Sequence, residues 1–204
     1  MSETGSKTRN SRSSASKNRA FIYDLVLISV SSALITVCSW INIPFGPVPF
    51  TLQTLAILAV MLTCGGRRGT CAVLVYLAMG ALGVPVFAGF KGGLVSFAGP
   101  TGGFLIGFVF AGLEYWILES LLFKRLMTTA IKTWIFGIIN SLVFEAVMYF
   151  TGVIWFMTVY AAQTGPVGLI TVLGWCVFPF IIPDIVKLVV AVVIGERARK
   201  LVKV

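Results

Sequence analysis

Long apolar runs alternate with short polar breaks along this chain. The runs occupy residues 22–40, 50–64, 69–85, 101–123, 131–150 and 177–194. A helix that crosses the hydrocarbon core of a bilayer needs about 20 mostly apolar residues, within a range of about 17–25. The second and third runs are short by that measure, and Gly65-Gly66-Arg67-Arg68-Gly69 joins them as a tight basic turn. A charged turn belongs in water, so both runs are read as spans rather than as a re-entrant hairpin. The pattern predicts an all-α integral membrane bundle of six transmembrane helices, formed by residues 21–204 as one domain. Residues 1–20 break the pattern. They are Ser, Thr, Asn, Lys and Arg with a single acid, Glu3, and so polar a segment is expected to be a disordered cytosolic tail.

Composition agrees with a bilayer environment. Of 204 residues, 58% are hydrophobic and 11% charged, against roughly 25% charged in a soluble domain. Lipid accepts apolar surface on the outside of a fold, which water does not.

The net charge of +9 changes the picture through its distribution. Lys7, Arg9, Arg12, Lys17, Arg19, Arg67, Arg68, Lys124, Arg125, Lys132, Arg197, Arg199, Lys200 and Lys203 fall in alternate connections, on one side of a six-span bundle. The opposite connections hold only Lys91, and the remaining base, Lys187, lies inside the last run. Fourteen bases against one place both termini in the cytoplasm of a bacterial inner membrane by the positive-inside rule. Bases scattered between apolar runs do not make the clustered face that nucleic acid requires.

Several chemistries drop out. The chain has no histidine, which removes Ser-His-Asp and Cys-His catalysis and the commonest metal ligand. Cys38, Cys64, Cys71 and Cys176 form no Cys-x-x-Cys pair and read as small core residues. No Gly-x-x-x-x-Gly-Lys-Ser/Thr loop is present, so the chain does not hydrolyse ATP by that device. The reading is a non-enzymatic carrier without cofactor or metal.

Acids at membrane depth are costly, about 2.5–3.5 kcal/mol each on insertion scales, and each is a candidate for function. Asp184 and Lys187 stand at i, i+3, on one helix face. Pro183 suits a first helical turn, which would put Asp184 near a helix N-terminus facing outward. There the helix dipole and Lys187 would hold a carboxylate, and Asp184 would accept hydrogen bonds from ligand N–H groups. The alternative is a self-satisfied ion pair. Asp24, at the cytosolic edge, is expected to snorkel or to pair with Arg19, and Glu114 and Glu119 to pair with Lys124, Arg125 or Lys132, whereas Glu145 stays open between structure and site. Gly103, Gly107 and Ala111 form a small-residue stripe on the fourth span, and Ser29 and Ala33 another on the first. Such stripes serve internal packing or docking to another membrane protein.

The outward connections are rich in Pro, Gly and aromatic residues. Phe45, Phe50, Phe87, Phe90, Trp155 and Trp175 lie there, as interfacial anchors or as a sandwich for a ring. The segment Pro47-Val48-Pro49-Phe50-Thr51-Leu52-Gln53 resembles the opening motif of the BioY family, the biotin-specific S components of energy-coupling-factor vitamin transporters. The run from Gly80 through Gly89, then Gly92-Gly93 and Gly99-Pro100-Thr101-Gly102-Gly103-Phe104, is similar to its central signature. Tyr149-Phe150-Thr151-Gly152-Val153-Ile154-Trp155 and Pro183-Asp184-Ile185-Val186-Lys187 look like its later motifs.

The resemblance implies high-affinity biotin binding near the outer face, in a pocket closed by the loops after the first and third spans. By motif match its lining would include Gln53, Phe87, Gly92, Gly93, Thr101, Gly102, Tyr149, Asp184 and Lys187. Lys91 joins them where a small polar residue is expected. Ser29 and Ala33 would dock a transmembrane coupling subunit, which works with two ATPases. Which end of biotin meets which residue stays open. Carriage of another small vitamin and solitary biotin transport are the alternatives. A lipid-modifying enzyme lacks a catalytic cluster, and a pore lacks a continuous polar stripe.

Overall fold

The computed structural model describes residues 3–44, 46–126, 130–200 and 202. Phe45 and the side chains of Lys124, Arg125 and Lys132 lie outside the described residues, and with them the pairing expected of those bases. Helix α1 (Glu3–Trp40) begins within the polar N-terminal stretch and leads into a small antiparallel ladder of β1 (Asn42–Ile43) and β2 (Phe50–Thr51). Helices α2 (Gln53–Cys64) and α3 (Gly66–Ala81) follow, then a short α4 (Val95–Ala98) and the long α5 (Gly102–Leu126) and α6 (Ala130–Thr164). The chain closes with α7 (Leu169–Cys176) and α8 (Phe178–Arg199).

The fold is mostly helical. Among the described residues four stretches are long and apolar enough to cross a membrane: Lys17–Trp40, Gly102–Leu122, Thr133–Thr164 and Leu169–Arg199. The last takes in α7 and α8. The second and third expected spans correspond to α2 and α3, of 12 and 16 residues. At 1.5 Å per residue they reach about 18 and 24 Å, short of a hydrocarbon core about 30 Å thick. The reason for α2 lies in its surroundings. Ten of its twelve residues are buried, and it packs on α1, α3 and α8. A helix wrapped by protein does not have to match the lipid.

Two expected boundaries move. The fifth run was expected to end at residue 150, yet α6 continues to Thr164, because residues 151–164 contain nothing that stops a helix. Gly165 stops it, with φ +96° and its N–H donating to the Ala161 carbonyl at 3.0 Å. The start of α8 also moves. Pro179 occupies its first turn and Pro183 sits inside it, so Asp184 lies within the helix rather than at its N-terminus. Asp184 is then too far from the helix N-terminus for the helix dipole to hold a carboxylate beside it. Pro183 has no N–H, so the helical bond to the carbonyl four residues earlier is missing there.

The basic turn is also tighter than expected. Only Gly65, with φ +84°, separates α2 from α3, and Arg67 and Arg68 belong to the first turn of α3. Arg68 pairs with Asp24 of α1 at 2.8 Å, in place of the expected Arg19. Glu119 of α5 accepts the Gly66 N–H at 2.5 Å. The tip of the hairpin is thereby tied to two neighbouring helices.

Helices α5 and α6 share the most extensive interface. A Cβ on Gly103 would strike the Trp155 side chain, and one on Gly152 the Phe104 ring. At Gly107 a Cβ would meet the Thr151 hydroxyl and, at 3.2 Å, the Met148 carbonyl oxygen. The stripe Gly103, Gly107, Ala111 is therefore taken up by internal packing. Ser29 and Ala33 on α1, by contrast, are exposed.

Gly107→Leu should destabilise the bundle by about 1–3 kcal/mol through overpacking. Gly174→Leu should not destabilise it, since nothing lies within 4 Å of a Cβ there. Thermal unfolding of both variants in detergent checks the contrast.

Candidate functional site

A cavity of about 590 Å³ opens where α2, α5, α6 and α8 meet the loops that follow β1 and α3. That volume suits a small organic ligand. Its deep end is polar and its walls are mostly apolar. Thr54 of α2, Tyr149 of α6, and Asp184 and Lys187 of α8 line the deep end. Phe104, Leu105 and Phe108 of α5, with Met148 and Phe180, form walls, while Pro47, Val48, Pro49, Ala88, Lys91 and Val95 bring the loops over it.

The deep end is one connected network. Lys187 Nζ donates to Asp184 Oδ1 at 2.6 Å and to Thr54 Oγ1 at 3.2 Å. The ammonium also stands 4.0 Å from the centroid of Phe50, whose ring stacks on Phe180. The Tyr149 hydroxyl donates to Asp184 Oδ2. Asp184 and Lys187 are only 4% and 6% exposed. A buried pair holds together only if further hydrogen bonds satisfy its charges, and here α2 and α6 supply them. One N–H of the ammonium remains beyond these two partners, and each carboxylate oxygen keeps a second lone pair. The pair is thus able to present a donor and acceptors to a ligand.

The first turn of α2 adds Gln53, whose Nε2 donates to the buried Tyr76 hydroxyl at 3.1 Å. Phe87 lines the cavity while packing edge-on against Tyr76 and Phe97. Its ring occupies the space that a Cβ on Gly80 would need. Trp155 acts as a strut: its Nε1 donates to the Gly99 carbonyl at 3.1 Å and holds the glycine-rich loop against α6.

Of the residues expected from sequence, Gln53, Phe87, Lys91, Gly92, Thr101, Tyr149, Asp184 and Lys187 line the cavity, whereas Gly93 and Gly102 do not. Those two shape the backbone behind it. Gly93 adopts φ +87° and donates its N–H to Gly80 O at 2.7 Å, and a Cβ on Gly102 would collide with the Phe97 carbonyl. Sequence reading missed Thr54, Ser96, Phe104 and Phe180. Thr54 was visible as a polar residue opening an otherwise apolar run, and Phe180 stands four residues before Asp184 on the same face. Glu145, one turn before Tyr149, is 7% exposed, lies within electrostatic reach of Asp184 and Lys187, and does not line the cavity. Its Oε1 has no hydrogen-bond partner among the described residues.

The BioY family model matches residues 8–204. The biotin transporter BioY of Thermotoga maritima is 34% identical over 177 residues, covering 87% of this chain and 96% of that protein. The probable biotin transporter BioY of Pyrococcus horikoshii is 35% identical over 181 residues, covering 85% and 94%. A crystal structure of the S-component for biotin from an ECF-type ABC transporter superposes with a TM-score of 0.76 at 30% identity, covering 90% of this chain and 94% of that one.

The network predicts a clear stability pattern. Asp184→Asn leaves Lys187 buried without its anion and should cost about 3–5 kcal/mol, whereas Asp184→Leu combined with Lys187→Met should recover most of that loss. Unfolding midpoints of the three proteins in detergent measure the pattern.

Proposed function

The chain belongs to the BioY family, and on that premise we propose that it is a biotin transporter whose cavity binds biotin on the way into the cell. The observation that carries the reading is the buried Asp184–Lys187 pair in the lining of a mostly apolar cavity. Biotin offers an apolar bicycle for the walls, ureido N–H and C=O groups, and a carboxylate. The pair, with Thr54 and Tyr149 behind it, supplies both donors and acceptors for such polar ends.

In this reading the protein is the S component of an energy-coupling-factor transporter and relies on other chains for energy. The exposed Ser29–Ala33 face of α1 meets the transmembrane coupling subunit, and two ATPases drive the cycle. Six helices cross a bacterial inner membrane, with α2 and α3 as a short hairpin whose first helix is enclosed by protein. Both termini are cytoplasmic, because the bases gather on one side of that arrangement. Gln53, Phe87, Lys91, Gly92, Thr101, Tyr149, Asp184 and Lys187 contact biotin, and Gly93 and Gly102 shape the loops that close over it.

Equilibrium binding of biotin to the purified protein in detergent tests the substrate. The wild type should bind, and Lys187→Ala should bind at least about tenfold more weakly, as for loss of a hydrogen bond to a charged group. A folded wild type that binds no biotin would sink the assignment. Topology has its own check. Alkaline phosphatase fused after Val204 should be inactive in cells, whereas the same reporter inserted at Gly165 should be active.

A further inference from the structure

Three charged side chains reach the cavity: Asp184, Lys187 and Lys91. The first two neutralise one another at 2.6 Å. Lys91 is exposed and takes part in neither ion pair found among the described residues. No counter-charge is near in sequence either, since the chain has no Asp or Glu between Asp24 and Glu114. The loops over the cavity therefore contribute one formal charge, and it is positive.

The backbone holds that charge in place. The Phe87 N–H donates to the Lys91 carbonyl at 2.9 Å and closes a tight turn. Gly89 and Phe90 turn the chain at φ +72° and +58°. A left-handed Phe is uncommon and is kept only where its surroundings hold it. Here the Phe90 ring stacks on Trp40 at 5.0 Å, and Trp40 Nε1 donates to the Pro85 carbonyl at 2.9 Å. On the far side the Ser96 hydroxyl donates to Gly92 O at 3.3 Å. The base of Lys91 is thus braced on both flanks, while its long stem leaves the ammonium free to follow an anion.

We propose that Lys91 is an anion subsite at the cavity mouth, which recognises the ligand's carboxylate while the uncharged hydrogen-bonding end descends to Asp184 and Lys187. The inference rests on the biotin reading above and assigns the two ends of that ligand. A carboxylate at the deep end would sit beside the Asp184 carboxylate, with the Lys187 charge already answered, and like charges repel strongly where water is excluded. At the mouth it keeps part of its hydration and gains an unpaired cation. A charge in this position acts on encounter and on choice between ligands more than on fold.

Binding of biotin and of its neutral amide, biotinamide, to the full-length protein in detergent tests the subsite, at low and high salt. The wild type should prefer biotin by about fivefold, as for an exposed ion pair near 1 kcal/mol. The preference should shrink in high salt, vanish in Lys91→Gln because biotin affinity falls to that of biotinamide, and persist in Lys91→Arg. A preference that survives Lys91→Gln overturns the inference and leaves the biotin reading standing. Equal weakening of both ligands in Lys91→Gln also overturns it, since that is the mark of a merely structural residue. A folded wild type that binds neither ligand overturns the biotin reading and this inference with it.

Discussion

A lysine and an aspartate buried against one another inside an apolar bundle govern how the rest of this molecule is arranged. Neither charge is tolerable alone at that depth, and the pair itself needs further hydrogen bonds. Thr54 supplies one from α2 and Tyr149 another from α6, while the Phe50 ring lies against the ammonium. Two helices and a strand therefore converge on one point to satisfy two side chains of α8. The cavity is the space left beside that convergence. Its residual donor and acceptors follow from the valence of an ammonium and a carboxylate whose partners on the protein side are fixed.

Shape comes from glycine at two levels. Along α5 and α6, missing side chains let the helices approach until Trp155 and Phe104 fill the gaps. In the loops, positive φ at Gly83, Gly89 and Gly93 folds the chain over the cavity. The two are joined by Trp155, which packs on Gly103 and bonds to Gly99 O. The loop that covers the cavity is thus fastened to the same helix pair that forms its wall.

Much of this was legible in the sequence. Asp184 and Lys187 stood out because charge within an apolar run is expensive, and the Pro- and Gly-rich loops because they exceed what reversal of a chain requires. Eight of the ten residues singled out for the ligand line the cavity. What sequence did not reveal has specific causes. Apolar residues 151–164 continue α6 because lipid-compatible sequence carries no mark of where the membrane ends. Pro183 resembles a helix start, although Pro179 already fills that role. Asp24 finds Arg68 rather than Arg19 because the partner comes from a neighbouring helix, a contact that spacing along one helix does not contain. Thr54 does not stand out because hydropathy treats a threonine in an apolar run as one more small core residue.

The enclosure of α2 has a consequence for how the protein lives in different membranes. Helices that face lipid must tilt, bend or deform the bilayer when its thickness changes. With ten of its twelve residues covered by protein, α2 is insulated from that hydrophobic mismatch. The outer helices are free to adjust to the local thickness while Gln53 and Thr54 keep their register against α8. A change of bilayer thickness with growth temperature or lipid composition should therefore act on the shell of this protein before it reaches the cavity.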